Sequence, residues 1–142
     1  MSTEDNKAAI RSGFENLNQG NVATIGKFWT SDLVYHDPNN LQVHNHQEYK
    51  QFLTAFMTAV PGQFTIDDLI AEGDKVVARF TFRGTHQGQW RGAPPTGKSV
   101  TYTSTQTYRY VDGKAAEIWV NNDIFSFVQQ LGLIPAPGQA SS

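Results

Sequence analysis

Cysteine is missing altogether, which excludes disulfides, thiolate metal centres and a cysteine nucleophile. Nowhere do apolar residues run for the ~18 positions that a bilayer-spanning helix needs. Charge of one sign is lacking too: the net charge is −2, and Lys and Arg are scattered rather than gathered into a patch that would draw a phosphate backbone. Neither nucleic acid nor a membrane is an expected partner. The first seven residues are acidic and polar, not basic and then apolar, so they do not read as a secretory signal and a cytoplasmic location is expected. The glycine-rich stretch from Gly84 to Gly97 is not followed by a helix carrying Lys-Ser or Lys-Thr, so no phosphate loop is expected. No Gly-x-Ser-x-Gly elbow supports a nucleophilic serine.

What is present fits one domain. A chain of 142 residues buries roughly two-thirds of its extended surface on folding, enough for one core. Ser2 or Thr3 caps a first helix whose Ile10, Phe14 and Leu17 share a face, and Gly20 closes it. A short helix over 22–29 and a brief extended piece, Leu33 to His36, precede the break at Asp37-Pro38. The clearest helix begins at Asn45, with Glu48 at capping-box spacing and a stripe of Tyr49, Phe52, Leu53, Phe56, Met57 and Val60; Pro61-Gly62 ends it. From Gln63 the period becomes alternating. Four antiparallel strands are expected near 63–72, 75–86, 98–111 and 114–122, with tight turns at Gly73-Asp74 and Asp112-Gly113. A last helix carries Ile124, Phe127, Val128 and Leu131, and a Pro-, Gly- and Ser-rich tail after about 135 is expected to be loosely ordered. Helices first and sheet afterwards is an α+β order, with helices on one face of a curved sheet whose concave side encloses either an apolar core or a ligand pocket.

The run Ile70 to Arg79, then Arg83-Gly84-Thr85-His86-Gln87-Gly88, Pro94-Pro95-Thr96-Gly97-Lys98 and the ending Glu117, Trp119, Asp123, Gln130-Leu131-Gly132 resemble the SnoaL-like polyketide or ester cyclase family over about residues 5–135. That resemblance implies a cone-shaped barrel of the nuclear transport factor 2 kind, a curved antiparallel sheet wrapped around N-terminal helices. It also implies an intramolecular aldol closure that needs neither metal nor organic cofactor. Isomerases, dehydratases, hydrolases and pure binding modules share the fold. The family's acid-base aspartate, just after the Trp-bearing strand, matches Asp123. Many relatives carry a His between the glutamate and the tryptophan where this chain has Ile118, so no role for that His transfers.

Read from the residues alone, Asp123 stands where strand becomes helix and serves equally well as an N-cap. Strand alternation puts Trp119, Asn121 and Asp123 on one side and Ile118, Val120 and Asn122 on the other, so if Trp119 lines the pocket, Asp123 does too. A carboxylate drawn into an apolar pocket loses hydration, which brings it toward proton exchange near neutral pH. His86 shares parity with Ala78, Phe80 and Phe82, and could polarise a carbonyl or cap a turn; His36 could reach the cone mouth or lie in a surface loop. Tyr102 shares a strand face with Tyr108 and Tyr110, as pocket wall or packing, while Trp90 suits a lid or the cover of a sheet edge. Asn121 completes the candidate binding set. His44-x-His46 lacks the further ligands a metal needs and fits a polar helix entrance better. Thr101, Thr103, Thr105, Thr107 and Arg109 form the outward row of their strand, flat enough to pair with a twin sheet, and a homodimer is expected.

Overall fold

The computed structural model describes residues 2–134, and the tail after about 135 lies outside them. Helix α1 (Thr3–Asn18) starts at a capping box: Ser2 Oγ accepts from the Asp5 amide, and Asp5 accepts from the Ser2 amide, both at 3.0 Å. Its buried Ile10, Phe14 and Leu17 follow helical spacing and turn α1 toward the sheet. A 3-10 turn (Val22–Phe28) leads directly into β1 (Trp29–His36). Helix α2 (His46–Ala59) is capped by Asn45 Oδ1, which accepts from the Glu48 amide at 2.9 Å; Glu48 reaches His44 instead of closing the box. Strands β2 (Gly62–Glu72), β3 (Lys75–Thr85), β4 (Ser99–Val111) and β5 (Lys114–Asn122) form hairpins, the first and last closing at the expected turns, and α3 (Ile124–Gln130) ends the described chain.

The sheet is curved and unclosed, in the order β1-β5-β4-β3-β2. Four strands were expected, all antiparallel; there are five, because the extended piece seen at 33–36 begins at Trp29 and runs parallel to β5 as an edge strand. It was hard to read because Ser31 and Asp32 interrupt its apolar pattern. A register shift between Trp29 and Val34 accommodates them, so that Trp29, Leu33 and Tyr35 all remain buried. On β4, Val100, Ser104, Gln106, Tyr108 and Tyr110 face inward while Thr101, Thr103 and Thr105 are exposed, as strand alternation anticipates. A second bulge beside Arg109 and Tyr110 buries Ala115 and Ala116 in succession on β5 before alternation resumes.

Helices α1 and α2 and the concave sheet face share an aromatic core. Phe14 meets Phe80 and Phe64 at ring-centroid distances of 4.7 and 5.4 Å, and Phe82 meets Phe64, Phe56 and Tyr102 at 4.8, 5.2 and 5.3 Å. Burying each such ring stabilises the fold by about 2 to 3 kcal/mol. The rings do not fill the concavity. About 80 Å³ remains in which the centre of a water-sized sphere can move, in a concavity partly open to solvent between helices and sheet.

Candidate active site

Three polar groups interrupt the aromatic wall of this cavity. At the end of β1, Tyr35 donates its hydroxyl to Asp37 Oδ2 at 3.0 Å. Asp37, only 4% exposed, also accepts from Asn40 Nδ2 at 2.7 Å and the Asn39 amide at 2.9 Å. The Asp37-Pro38 break is thus a tight turn that fixes Tyr35 and presents Asn40 to the cavity.

The second group spans α2 and β4. Tyr49 stacks under Tyr35, with ring centroids 3.9 Å apart. Gln106 Oε1 accepts the Tyr108 hydroxyl, which leaves its amide hydrogens free of that bond at the cavity wall. Burial holds the hydroxyls of Tyr49, Tyr102 and Tyr110 above the ordinary tyrosine range, so all three are neutral donors throughout physiological pH. The third is Asn122, on the inner face of β5; its Oδ1 accepts from Ser104, so its amide hydrogens are available to a guest.

The glycine-rich loop closes one side. Trp90 is buried and meets Phe56 and Phe52 at 5.3 and 5.7 Å, while Arg91 lines the cavity yet is exposed, so it stands where the cavity meets solvent. Gly92 to Ser99 has the spacing of a nucleotide-binding phosphate loop, but Lys98-Ser99 enters strand β4 rather than a helix and Pro94-Pro95 removes two amide donors.

Of the residues read from sequence, Trp90 and Tyr102 line the cavity. Trp119 and Asn121 do not: the inward side of β5 is Ile118, Val120 and Asn122, opposite Tyr108, Gln106 and Ser104. Trp119 lies on the outer face, stacked on His36 at 5.4 Å with Lys75 Nζ 5.8 Å above its ring, and His36 therefore belongs to the outer face as well. His86 is fully buried but outside the cavity lining. The Thr96 amide donates to its Nδ1 at 3.2 Å, which puts the ring hydrogen of the neutral form on Nε2, and the bond anchors the far end of the loop. His46 bonds the Thr30 carbonyl and His44 bonds Glu48. Asp123 is exposed and caps α3, accepting from the Ser126 amide at 3.1 Å. Its neighbours on both sides, Asn122 and Ile124, line the cavity, but Asp123 does not: with Asn122 inward on β5, the next residue leaves the inner face and turns to its cap, so the pocket-facing carboxylate that parity with a cavity-lining Trp119 would give is not observed.

The outer cluster is an ion-pair chain. Glu117 sits 2.7 Å from His36 Nε2 and 3.2 Å from Arg109 Nε, and the His36 bond, with Arg109 adding to it, holds the Glu117 carboxyl below the usual glutamate range. A depressed folded-state pKa stabilises the fold above the unfolded value and ceases to do so as pH falls through the folded one. Glu117→Gln is expected to cost about 0.5 kcal/mol at pH 7 in urea denaturation, the gap closing below the ordinary glutamate range.

A model of the SnoaL-like polyketide cyclase family matches residues 8–131. The chain belongs to that family. Solved structures of like fold include AclR from Streptomyces galilaeus, named as a candidate hydroxylase, at 28% identity and a TM-score of 0.86 over 94% of this chain and 100% of that one. IdmH from Streptomyces antibioticus, named as a candidate polyketide cyclase, is 26% identical with a TM-score of 0.75 over 89% of this chain and 98% of its own. TsrD from Streptomyces laurentii, at 23% identity and a TM-score of 0.83, covers 94% of this chain and 99% of its own, and shows the fold alone. No curated protein matches.

For a SnoaL-like domain the cavity is the natural site, and sequence reading missed several of its polar residues. Asn122 and Gln106 stand on the inward parity of their strands among apolar and aromatic neighbours, the signal that could have found them. Tyr49 was read only as part of an apolar stripe. Arg91 gave no signal, because loop residues have no period.

Proposed function

We propose that this protein is a cofactor-independent acid-base cyclase acting on a small hydrophobic carbonyl compound, a polyketide-like ester, by intramolecular aldol closure. The observation that carries this reading is an aromatic cavity furnished with neutral tyrosine and amide donors, with Asp123 next in the chain to cavity-lining Asn122 and Ile124. The Asp123 carboxylate takes a proton from a carbon flanked by carbonyls. The enolate carbon then attacks a second carbonyl of the same molecule, forming a C–C bond, and the alkoxide takes the proton back, so substrate and product are isomers. Tyr49, Tyr102 and Asn122 supply hydrogen bonds to the oxygen on which charge develops, and holding a flexible chain folded contributes up to ~7 to 11 kcal/mol.

Pairing of two copies through the outward threonine row of β4 belongs to the same proposal. Thr101, Thr103 and Thr105 are exposed and Thr107 is half-buried, a flat β-branched surface suited to a twin sheet.

The test is incubation with a linear β-polycarbonyl methyl ester, followed by mass spectrometry and absorbance. A cyclic product of unchanged mass, formed faster with enzyme than without, is expected. Acceleration of no reaction, or a product one oxygen atom heavier as a hydroxylase would give, overturns the reading.

A further inference from the structure

Arg91 is the only charged side chain among the described residues that line the cavity. It has no carboxylate within ion-pair distance among the described residues, whereas Arg79 pairs with Asp68 and Arg109 with Glu117. Its guanidinium rests over the Trp90 ring, 5.5 Å from the centroid, and one nitrogen approaches the Asn39 carbonyl at 3.5 Å, the limit of a hydrogen bond. A guanidinium offers five donors in a planar fork, so most of them remain available. Arg91 and Gly92, with left-handed φ of 50° and 82°, are the central pair of a tight turn closed by reciprocal hydrogen bonds between Trp90 and Ala93, and that turn carries the guanidinium at its tip.

We infer that Arg91 is a specificity residue that receives an anionic oxygen group of the substrate, a free carboxylate distant from the reacting carbons, at the mouth of the cavity. The substrate is then amphipathic: its carbonyl-bearing body lies among Phe56, Trp90 and the tyrosines, and its carboxylate stays at the solvent boundary in the fork of Arg91. The exposed position at the cavity mouth suits this division, since the anion keeps part of its hydration while the planar fork fixes its orientation. Such an anchor also sets register, because a chain held at one end presents the same carbons to the cavity's polar groups on every encounter. The inference rests on the proposed reading that the cavity is the substrate site.

The test is calorimetric titration with two probes of equal shape, 2-naphthoate and 2-naphthamide, against wild type, Arg91→Gln and Arg91→Lys at low salt. Wild type is expected to bind the carboxylate about tenfold more tightly than the amide, as a charge-assisted bidentate contact partly open to water would give. Arg91→Gln should abolish the preference by weakening the carboxylate far more than the amide, Arg91→Lys should keep part of it, and added salt should reduce it. Equal binding of the two probes by wild type, or a preference that survives Arg91→Gln, overturns the role of Arg91 and leaves the cavity reading intact. Binding of neither probe overturns the cavity as ligand site and the inference with it. Because the readout is affinity and not turnover, the outcome is independent of whether Asp123 is the base.

Discussion

On the proposed reading, Asp123→Asn is expected to lower turnover at least a hundredfold while leaving thermal stability close to that of the wild type. The side chain has two separable tasks. As the N-cap of α3 it accepts from the Ser126 amide at 3.1 Å, and an asparagine oxygen can do the same, since the two residues are about equally good caps. As a base it must take a proton, which an amide does not do near neutral pH, and loss of a positioned general base typically costs about 10² to 10⁴ in rate. Asp123→Ala should lose both, adding a destabilisation of about 1 kcal/mol. Comparison of the two variants by kcat and by melting temperature separates chemistry from capping. A folded Asp123→Asn enzyme with wild-type turnover would move the base elsewhere. The next carboxylate to examine would then be Asp37, which is buried beside the tyrosines but already saturated by Tyr35, Asn39 and Asn40.

The parts of the fold that local rules govern were legible. Asn45 followed by Tyr49, Leu53, Phe56 and Val60 states both the start and the buried face of α2, and Gly73-Asp74 and Asp112-Gly113 lie where two hairpins turn. Strand β1 was only half visible because its pairing is with β5, some eighty residues on, and parallel pairing leaves no turn signal to read. The site divides the same way. Trp90 and Tyr102 were found from type and parity, whereas the inner side of β5 was misjudged because Trp119 is larger and more apolar than Asn122. What decides it is the facing strand: Ile118 and Val120 pair with inward Tyr108 and Gln106, and the indole is covered outside by His36 and the Lys75 ammonium. Periodicity gives which residues share a face; long-range register decides which face is in.

Gly84→Ala is expected to be among the most damaging single methyls that this fold can receive. Gly62 and Gly84 are direct partners across β2 and β3, and the ring of Phe82 lies against both. A Cβ at Gly84 would stand 2.7 Å from the Pro61 carbonyl oxygen and 2.8 Å from two carbons of the Phe82 ring; one at Gly62 would collide with the Arg83 carbonyl and the same ring. The carbonyls are fixed by strand pairing and cannot yield. Phe82 is fully buried against Phe64, Phe56 and Tyr102, so the ring can retreat only toward the cavity wall. Overpacking of this kind costs about 2 to 3 kcal/mol, which for a domain of this size lowers the melting temperature by roughly 8 to 12 °C. If the ring is the main obstacle, Phe82→Leu in the Gly84→Ala background should recover part of the loss although Phe82→Leu alone is destabilising, a coupling that a double-mutant cycle measures directly. Additive effects would mean that the backbone clash with Pro61 dominates. Because Phe82 touches cavity-lining Tyr102, the same methyl should also weaken binding of a cavity probe in the molecules that remain folded, so that stability and affinity fall together here, whereas they separate at Asp123.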